Sequence, residues 1–346
     1  MDRLLLLSSD NKRRYAEDIQ TVLAAPEGVL VQFRYRDRWV TPAVRRAVSS
    51  RQVEGIRAVL GFAANTSTSD PFVVPIRYAT VAKAEKVAHM FIFQLRIGGY
   101  TNLQGYPDSL PGIVTQSRIA IDQLTAFENG VFHSATSNFP RMPEETSDNA
   151  PDRWLAAAER LALHPTYENA FFLRVASIET YQGKVVRCDK DGRLEAIDGQ
   201  SLRIVTNIYT KRYVPDSGFK LTCTPGGPNL RIASDEVYDV ALKYDAVDFW
   251  LFPAVQNYDT FSRVKISLAS ETTRVPTVPA HVPLSFRINR SRSRTVRRWF
   301  AASSGAVLVA LPAILGDGSP LSLRIAAALA GAGLLAMSGA AQNSPK

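Results

Sequence analysis

The chain has 346 residues, with 41 Lys and Arg against 32 Asp and Glu, a formal charge of +9. Eight of the basic residues and one acid fall within 287–346, which leaves 33 and 31 over 1–286 and a body near neutrality at +2. That distribution argues against a nucleic-acid-binding body, whose footprint would be a basic face on the fold. Two cysteines, Cys188 and Cys223, without CxxC spacing exclude a disulfide framework and fit a reducing compartment.

Leu4 to Leu7 form an apolar run too short for the core of a signal peptide. Asp10 can cap a helix over residues 12–24, with Tyr15, Ile19, Val22 and Leu23 on one face. Strand-like runs follow at 29–35, 56–63, 72–82 and 90–97. Over 32–39 arginines alternate with aromatics. In a strand this puts Phe33 and Tyr35 on one face and the arginines on the other, the pattern of a half-buried strand. Residues 113–127 read as a helix that Ser117 can cap.

Residues 134–151, rich in Ser, Pro, Asn and acids, mark a seam. Beyond it a helix is expected over 152–163, capped by Asp152, with Trp154, Leu155, Ala158 and Leu161 facing inward and His164-Pro165 ending it. Short strands then recur at 171–178, 184–188, 202–209, 219–223, 230–233, 249–252 and 264–268, separated by turn signals such as Asp191-Gly192 and Pro225-Gly226-Gly227-Pro228. That spacing predicts a mostly antiparallel β segment, a sandwich or small barrel. Residues 271–283 hold three prolines and read as a semi-rigid spacer.

The last sixty residues have a different character. Arg287, Arg290, Arg292, Arg294, Arg297 and Arg298 lead into an uncharged run from Trp299 to Leu315. A Gly/Pro turn and a second uncharged run over 325–341 follow. Backbone polar groups in hydrocarbon must be satisfied internally, so such runs are helical there. Seventeen residues rise about 25 Å, the lower end of the spanning range. Gly305, Ala306, Ala310, Ala330, Gly331 and Gly333 would let two helices approach closely. Trp299 and Arg324 suit the interface, and the six arginines place the body and C-terminus on the cytoplasmic side, against anionic headgroups.

The expected architecture is thus an α+β body, mostly antiparallel β in its second part, plus a C-terminal transmembrane helical hairpin. Its expected segments are an α+β domain (1–133), a linker (134–151) and a β-rich domain with an N-terminal helix (152–270). A Pro-rich then Arg-rich juxtamembrane linker (271–298) and the hairpin (299–341) complete it.

Chemistry-bearing motifs are scarce. No P-loop, H-E-x-x-H, G-x-S-x-G or strand-borne G-x-G-x-x-G occurs, and His89, His133, His164 and His281 have no metal-ligand spacing. Asp189-Lys190-Asp191-Gly192 opens like a calcium loop, but its glycine comes too early and it reads as a hairpin turn. Asp235, Glu236, Asp239, Asp245 and Asp248 form an acidic region that could do acid–base work or hold a cation, or be a solvated helical turn or loop, a signal of low specificity. No cofactor or metal is expected. The favoured reading is a non-enzymatic, membrane-anchored cytoplasmic binding or sensor protein, with the bilayer and a protein or small molecule as partners, nucleic acid disfavoured, and a homo-oligomer allowed. Two alternatives stand beside it: a membrane-disrupting or channel-forming effector whose hairpin oligomerises, and a hydrolase or nuclease using carboxylates such as Asp235, Asp239 and Asp245.

Overall fold

A computed structural model describes residues 3–9, 12–64, 72–103, 129–133, 150–212, 218–255, 258–270 and 277–291, with 304, 307, 325–330 and 332 of the tail. The N-terminal apolar run becomes strand β1 (Arg3–Ser9), with Leu4 to Leu7 buried. Helix α1 (Arg13–Ala24) buries Tyr15, Ile19, Val22 and Leu23, as its 3.6-residue spacing predicts. Strand β2 (Leu30–Arg36) buries Phe33 and Tyr35 and exposes Arg34 and Arg36. Helix α2 (Pro42–Ser49), with proline in its first turn, was not legible from its short apolar stripe. Strands β3 (Arg57–Ala64), β4 (Phe72–Val87), β5 (Met90–Tyr100) and β6 (Asn129–His133) complete the first part.

Helix α3 (Ala150–Leu161) opens the second part and buries Trp154, Ala158 and Leu161. Asp152 lies inside its first turn, where a carboxylate favours the helix N-terminus, and is not the cap expected. A 3-10 turn at Pro165–Tyr167 ends the helical stretch. Strands β7 (Phe171–Thr180), β8 (Leu194–Ile197), β9 (Leu202–Thr210), β10 (Phe219–Pro225) and β11 (Leu230–Ile232) follow. The last four are β12 (Val237–Asp239), β13 (Tyr244–Pro253), β14 (Thr260–Ser270) and β15 (Ala280–Asn289).

Among the described residues these strands form three sheets. The first has the order β2-β5-β4-β3-β1-β6, parallel between β1 and β3 and antiparallel elsewhere. The second runs β12-β10-β14-β15-β8, with β8 parallel to β15. The third is an antiparallel β11-β13-β9-β7. One of the three is curved as a half-barrel, and the protein is α+β, mostly β. Phe171 and Phe219 meet at 4.1 Å and join the third sheet to the second.

Helix α1 is the shared wall. It packs on β1, β7 and β15, and Gln20 and Thr21 donate to the carbonyls of Phe171 and His281. Its C-terminal carbonyls, which a helix leaves without internal donors, are taken up from the first sheet. Arg77 Nη1 reaches Ala25 O at 2.8 Å and the Tyr100 hydroxyl reaches Leu23 O at 2.7 Å. One hydrophobic cluster therefore runs from Leu4 through Ile19 and Trp154 to Phe171 and Phe286.

Three expectations change. The run 184–188 makes only isolated bridges, Glu179 to Val185 and Cys188 to Leu194, because Val185 and Arg187 stay exposed and nothing rewards a continuous ladder. The acidic stretch containing Val237–Asp239 is an edge strand rather than a loop. The stretch expected as a spacer ends in β15, a full member of the second sheet, since Val282, Leu284, Phe286 and Ile288 alternate inward. Pro283 is tolerated because β8 reaches only Phe286–Asn289, leaving one flank of β15 without a strand partner at that point among the described residues. The helix expected over 113–127 and residues 134–149 of the seam lie outside the described residues.

In the tail, Ser304, Val307, residues 325–330 and Ala332 are helical. No helix among the described residues is long and apolar enough to cross a membrane.

Candidate functional site

Strand β10 leaves the second sheet after Pro225, which is paired with Val264, and its chain turns through 226–229 into β11 of the third sheet. Beyond Val264, β14 therefore has β15 on one side and this turn on the other. A cleft of about 400 Å³ opens there, lined by the turn, by Phe261, Ser262 and Arg263 of β14, by Ser285 and Phe286 of β15, and by Arg193.

The turn's glycines explain its approach. The Gly226 amide donates to Arg263 O at 2.7 Å, and a Cβ at Gly226 would lie 3.2 Å from that oxygen. A side chain there would require the turn or β14 to give by a few tenths of an ångström. Gly227 has no atom within 4 Å of where its Cβ would stand, so it fronts open space.

Arg193 is delivered by the turn that the sequence reading assigned to Asp189–Gly192. Asp189 Oδ1 accepts the amides of Asp191 at 2.8 Å and Arg193 at 2.9 Å, so its carboxylate serves the turn itself. Arg96 of β5 ties the turn to the first sheet through Asp189 O and Lys190 O. The Arg193 guanidinium lies 4.6 Å from the Phe261 ring centroid and 3.1 Å from Asp191 Oδ2. Arg263 has no ion-pair partner among the described residues. Ser262 is 8 % exposed, and its hydroxyl has no hydrogen-bond partner among the described residues. A buried hydroxyl without a partner is costly. The lining residues thus include two arginines, of which Arg193 is paired with Asp191, while Ser262 belongs to the buried face of β14 and Arg263 to the exposed one.

The cleft sits beside the start of the arginine-rich strip. Arg287, expected at the membrane interface, is instead on β15 opposite Phe261, with Nη2 3.4 Å from Asp259 Oδ2. Inward alternation of its neighbours makes this segment a strand. The Arg290 amide donates to Asp259 Oδ1 at 3.1 Å and the Ser291 amide to Asp198 Oδ1 at 2.9 Å. Two carboxylates thus fix the chain at Arg290 and Ser291. Arg292, Arg294, Arg297, Arg298, Trp299 and Arg324 lie outside the described residues, as do Gly305, Ala306, Ala310, Gly331 and Gly333; Ala330 is helical and exposed.

The other sequence candidates do not converge. Asp245 accepts from the Tyr238 hydroxyl at 2.8 Å and Asp248 pairs with Arg203. Asp235 and Asp239 are exposed, and among the described residues no three His, Cys, Asp or Glu side chains could hold a metal ion. Burial pushes the Cys188 thiol up to about 11 and the Cys223 thiol up to about 12, which keeps both protonated and unreactive at neutral pH. His164 accepts from the Thr166 amide at 3.2 Å and packs edge-on to Phe62. Sequence reading flagged the Pro225–Pro228 turn only as a turn, because the cleft arises from β10 changing sheets. A Gly-Gly pair between strands was its one local signal.

No protein-family model matches the chain, and no curated protein matches it. A solved structure described as "Structure of the N-terminal domain of PorA" is similar to 32 % of this chain and 96 % of its own length. The identity is 13 % and the TM-score 0.21, too low to bear on fold or function.

Proposed function

We propose that the protein is a non-enzymatic binding or sensor protein, held at a membrane by its C-terminal apolar runs, with its β-rich body on the cytoplasmic side and a ligand in the cleft at the β10–β11 turn. The finer architecture in this reading is a sandwich-like pairing of the second and third sheets, followed by a two-helix membrane hairpin. The carrying observation is in the tail. Its described residues are helical, and Val307, Ile325 and Leu329 are 58 %, 51 % and 69 % exposed. Apolar helical faces left uncovered by the body need another apolar medium. The arginines from Arg292 to Arg298 supply the positive flank that such an anchor carries on its cytoplasmic side.

Flotation tests this reading. The full chain should rise with phosphatidylcholine vesicles and resist extraction by alkaline carbonate, whereas a chain ending at Ser291 should stay in the aqueous fraction. A full chain that stays aqueous ends the anchor reading. The same vesicles loaded with a self-quenching dye should stay sealed, and leakage that requires residues 299–341 would favour the pore-forming alternative.

A further inference from the structure

We propose that the end of the body bearing Phe252, Val255 and Tyr258 docks into the headgroup region of the bilayer, with those side chains inserted; this rests on the membrane-anchor reading. The ends of β7, β8, β13 and β15 and the starts of β9 and β14 meet there. The turn after β8 ties several of them together. The Asp198 amide donates to Asn289 O at 3.0 Å and the Gly199 amide to Pro253 O at 2.8 Å. The Tyr181 amide, one residue past β7, donates to Ser201 O at 3.1 Å, beside the start of β9. Arg290 and Ser291, held by Asp259 and Asp198, belong to the same end.

Large apolar side chains gather here in the open. Tyr181 is 75 % and Tyr258 71 % exposed, and Ile197, Phe252, Val255 and Phe261 are exposed as well. An exposed apolar residue on its own is ordinary, whereas a set gathered at one end marks an interaction surface. Two observations make the bilayer its occupant. Ser291 lies at this end and Trp299 follows it by eight positions, so an anchor over 299–341 holds this end close to the lipid. Tyrosines, with an apolar ring and a polar tip, suit the headgroup level. The other end of β13, ten residues and about 30 Å away, also exposes Leu242 and Tyr244. Asp239 and Asp245 flank them in the chain, and setting carboxylates among anionic headgroups is unfavourable.

The test uses the full chain reconstituted in phosphatidylcholine vesicles. Tyr258→Trp puts a fluorescent ring at this end and Leu242→Trp puts one at the other, each read as the difference from the parent chain. The lipid is then exchanged for phosphatidylcholine brominated near the headgroup end of its acyl chains. The emission added by Tyr258→Trp should fall at least about twofold, as for an aromatic ring seated at the interface. The emission added by Leu242→Trp should not change. Phe252→Trp, on β13 rather than in the connection that follows it, is a second probe of the same end and should be quenched likewise. Adding Val255→Asp to the Tyr258→Trp chain should relieve the quenching, because a carboxylate resists leaving water.

Flotation of the parent chain reads the anchor separately. A chain that floats while Tyr258→Trp and Phe252→Trp both escape quenching overturns the docking and leaves the anchor. A chain that does not float overturns both. Emission that is blue-shifted yet indifferent to bromine, and that shifts back as the protein is diluted in lipid, makes a second copy of the chain the occupant and overturns the docking. Equal quenching at Leu242→Trp also overturns it, since neither end would then be preferred.

Discussion

Arg77 donates from Nε to Gly98 O and from Nη1 to Ala25 O, both at 2.8 Å, and its guanidinium lies 3.9 Å from the Tyr100 ring centroid. The charge is 1 % exposed, which is tolerable because it faces the carbonyl end of α1. Arg77→Met should therefore lower stability by about 3 kcal/mol, since carbonyls lose charged donors. A denaturant midpoint equal to that of the parent would show that water or a neighbour replaces the guanidinium. Nothing local in the sequence separates this arginine from Arg34, which is exposed on β2: each sits in a strand among apolar neighbours. Their difference is made by what lies across from them, an α1 terminus in one case and solvent in the other. His281 provides a pH handle. Burial, with Lys265 in support, holds its imidazole below the ordinary value of 6.5. The fold thus prefers the neutral ring. As pH falls through 6.5 towards the lower folded value, the unfolded chain takes up its proton first and stability drops; above 6.5 this contribution is constant. His281→Gln should flatten that acid limb, read as melting temperature between about pH 7.5 and pH 5.5. An unchanged limb would assign the acid sensitivity to other groups.

Strands β3 and β4 slip by one residue between Leu60 and Gly61, and the slip puts Gly61 against the β4 backbone. A Cβ there would lie 2.9 Å from Val74 O and 3.1 Å from Leu7 Cδ2. Gly61→Ala should cost about 1–3 kcal/mol, the range for forcing atoms into a packed core. If the variant melts with the parent, the bulge has room to relax. Element-level legibility follows the same division between local and distant causes. The alternation in β2 and the apolar stripe of α1 announced which faces are buried, because each element's period is written in its own residues. β15 was hidden by its proline and by the threonines and prolines before it, and only its pairing with β14 and β8 makes it a strand. The cleft was hidden for a related reason. Its lining comes from the 189–193 turn, the β10–β11 turn, β14 and β15, and no sequence window contains all four.

Across the whole molecule, α1 gives the three sheets a common support. It shares the core with β1, touches β7 through Gln20 and β15 through Thr21, and receives the Tyr167 hydroxyl at Ala16 O, 3.1 Å away. Unfolding should accordingly be a single transition in which tryptophan fluorescence, to which buried Trp154 contributes, and far-ultraviolet circular dichroism coincide. Two separated transitions would mean that the halves on either side of 134–149 fold independently. The sequence marks that stretch by composition, but the contacts that cross between 12–24 and 171–289 are long-range and leave no local pattern.

The fixing of the chain at Arg290 and Ser291 by Asp259 and Asp198 sets a leash. Trp299 follows Ser291 by eight positions, which allows at most about 28 Å even when fully drawn out. With Trp299 at a bilayer surface, as the anchor reading has it, the cleft would stay within a few nanometres of the headgroups whatever the body's orientation. A lipid-borne ligand would then be met at a local concentration set by its density in the leaflet rather than by its affinity alone. Lengthening the leash, and changing nothing else, would weaken capture.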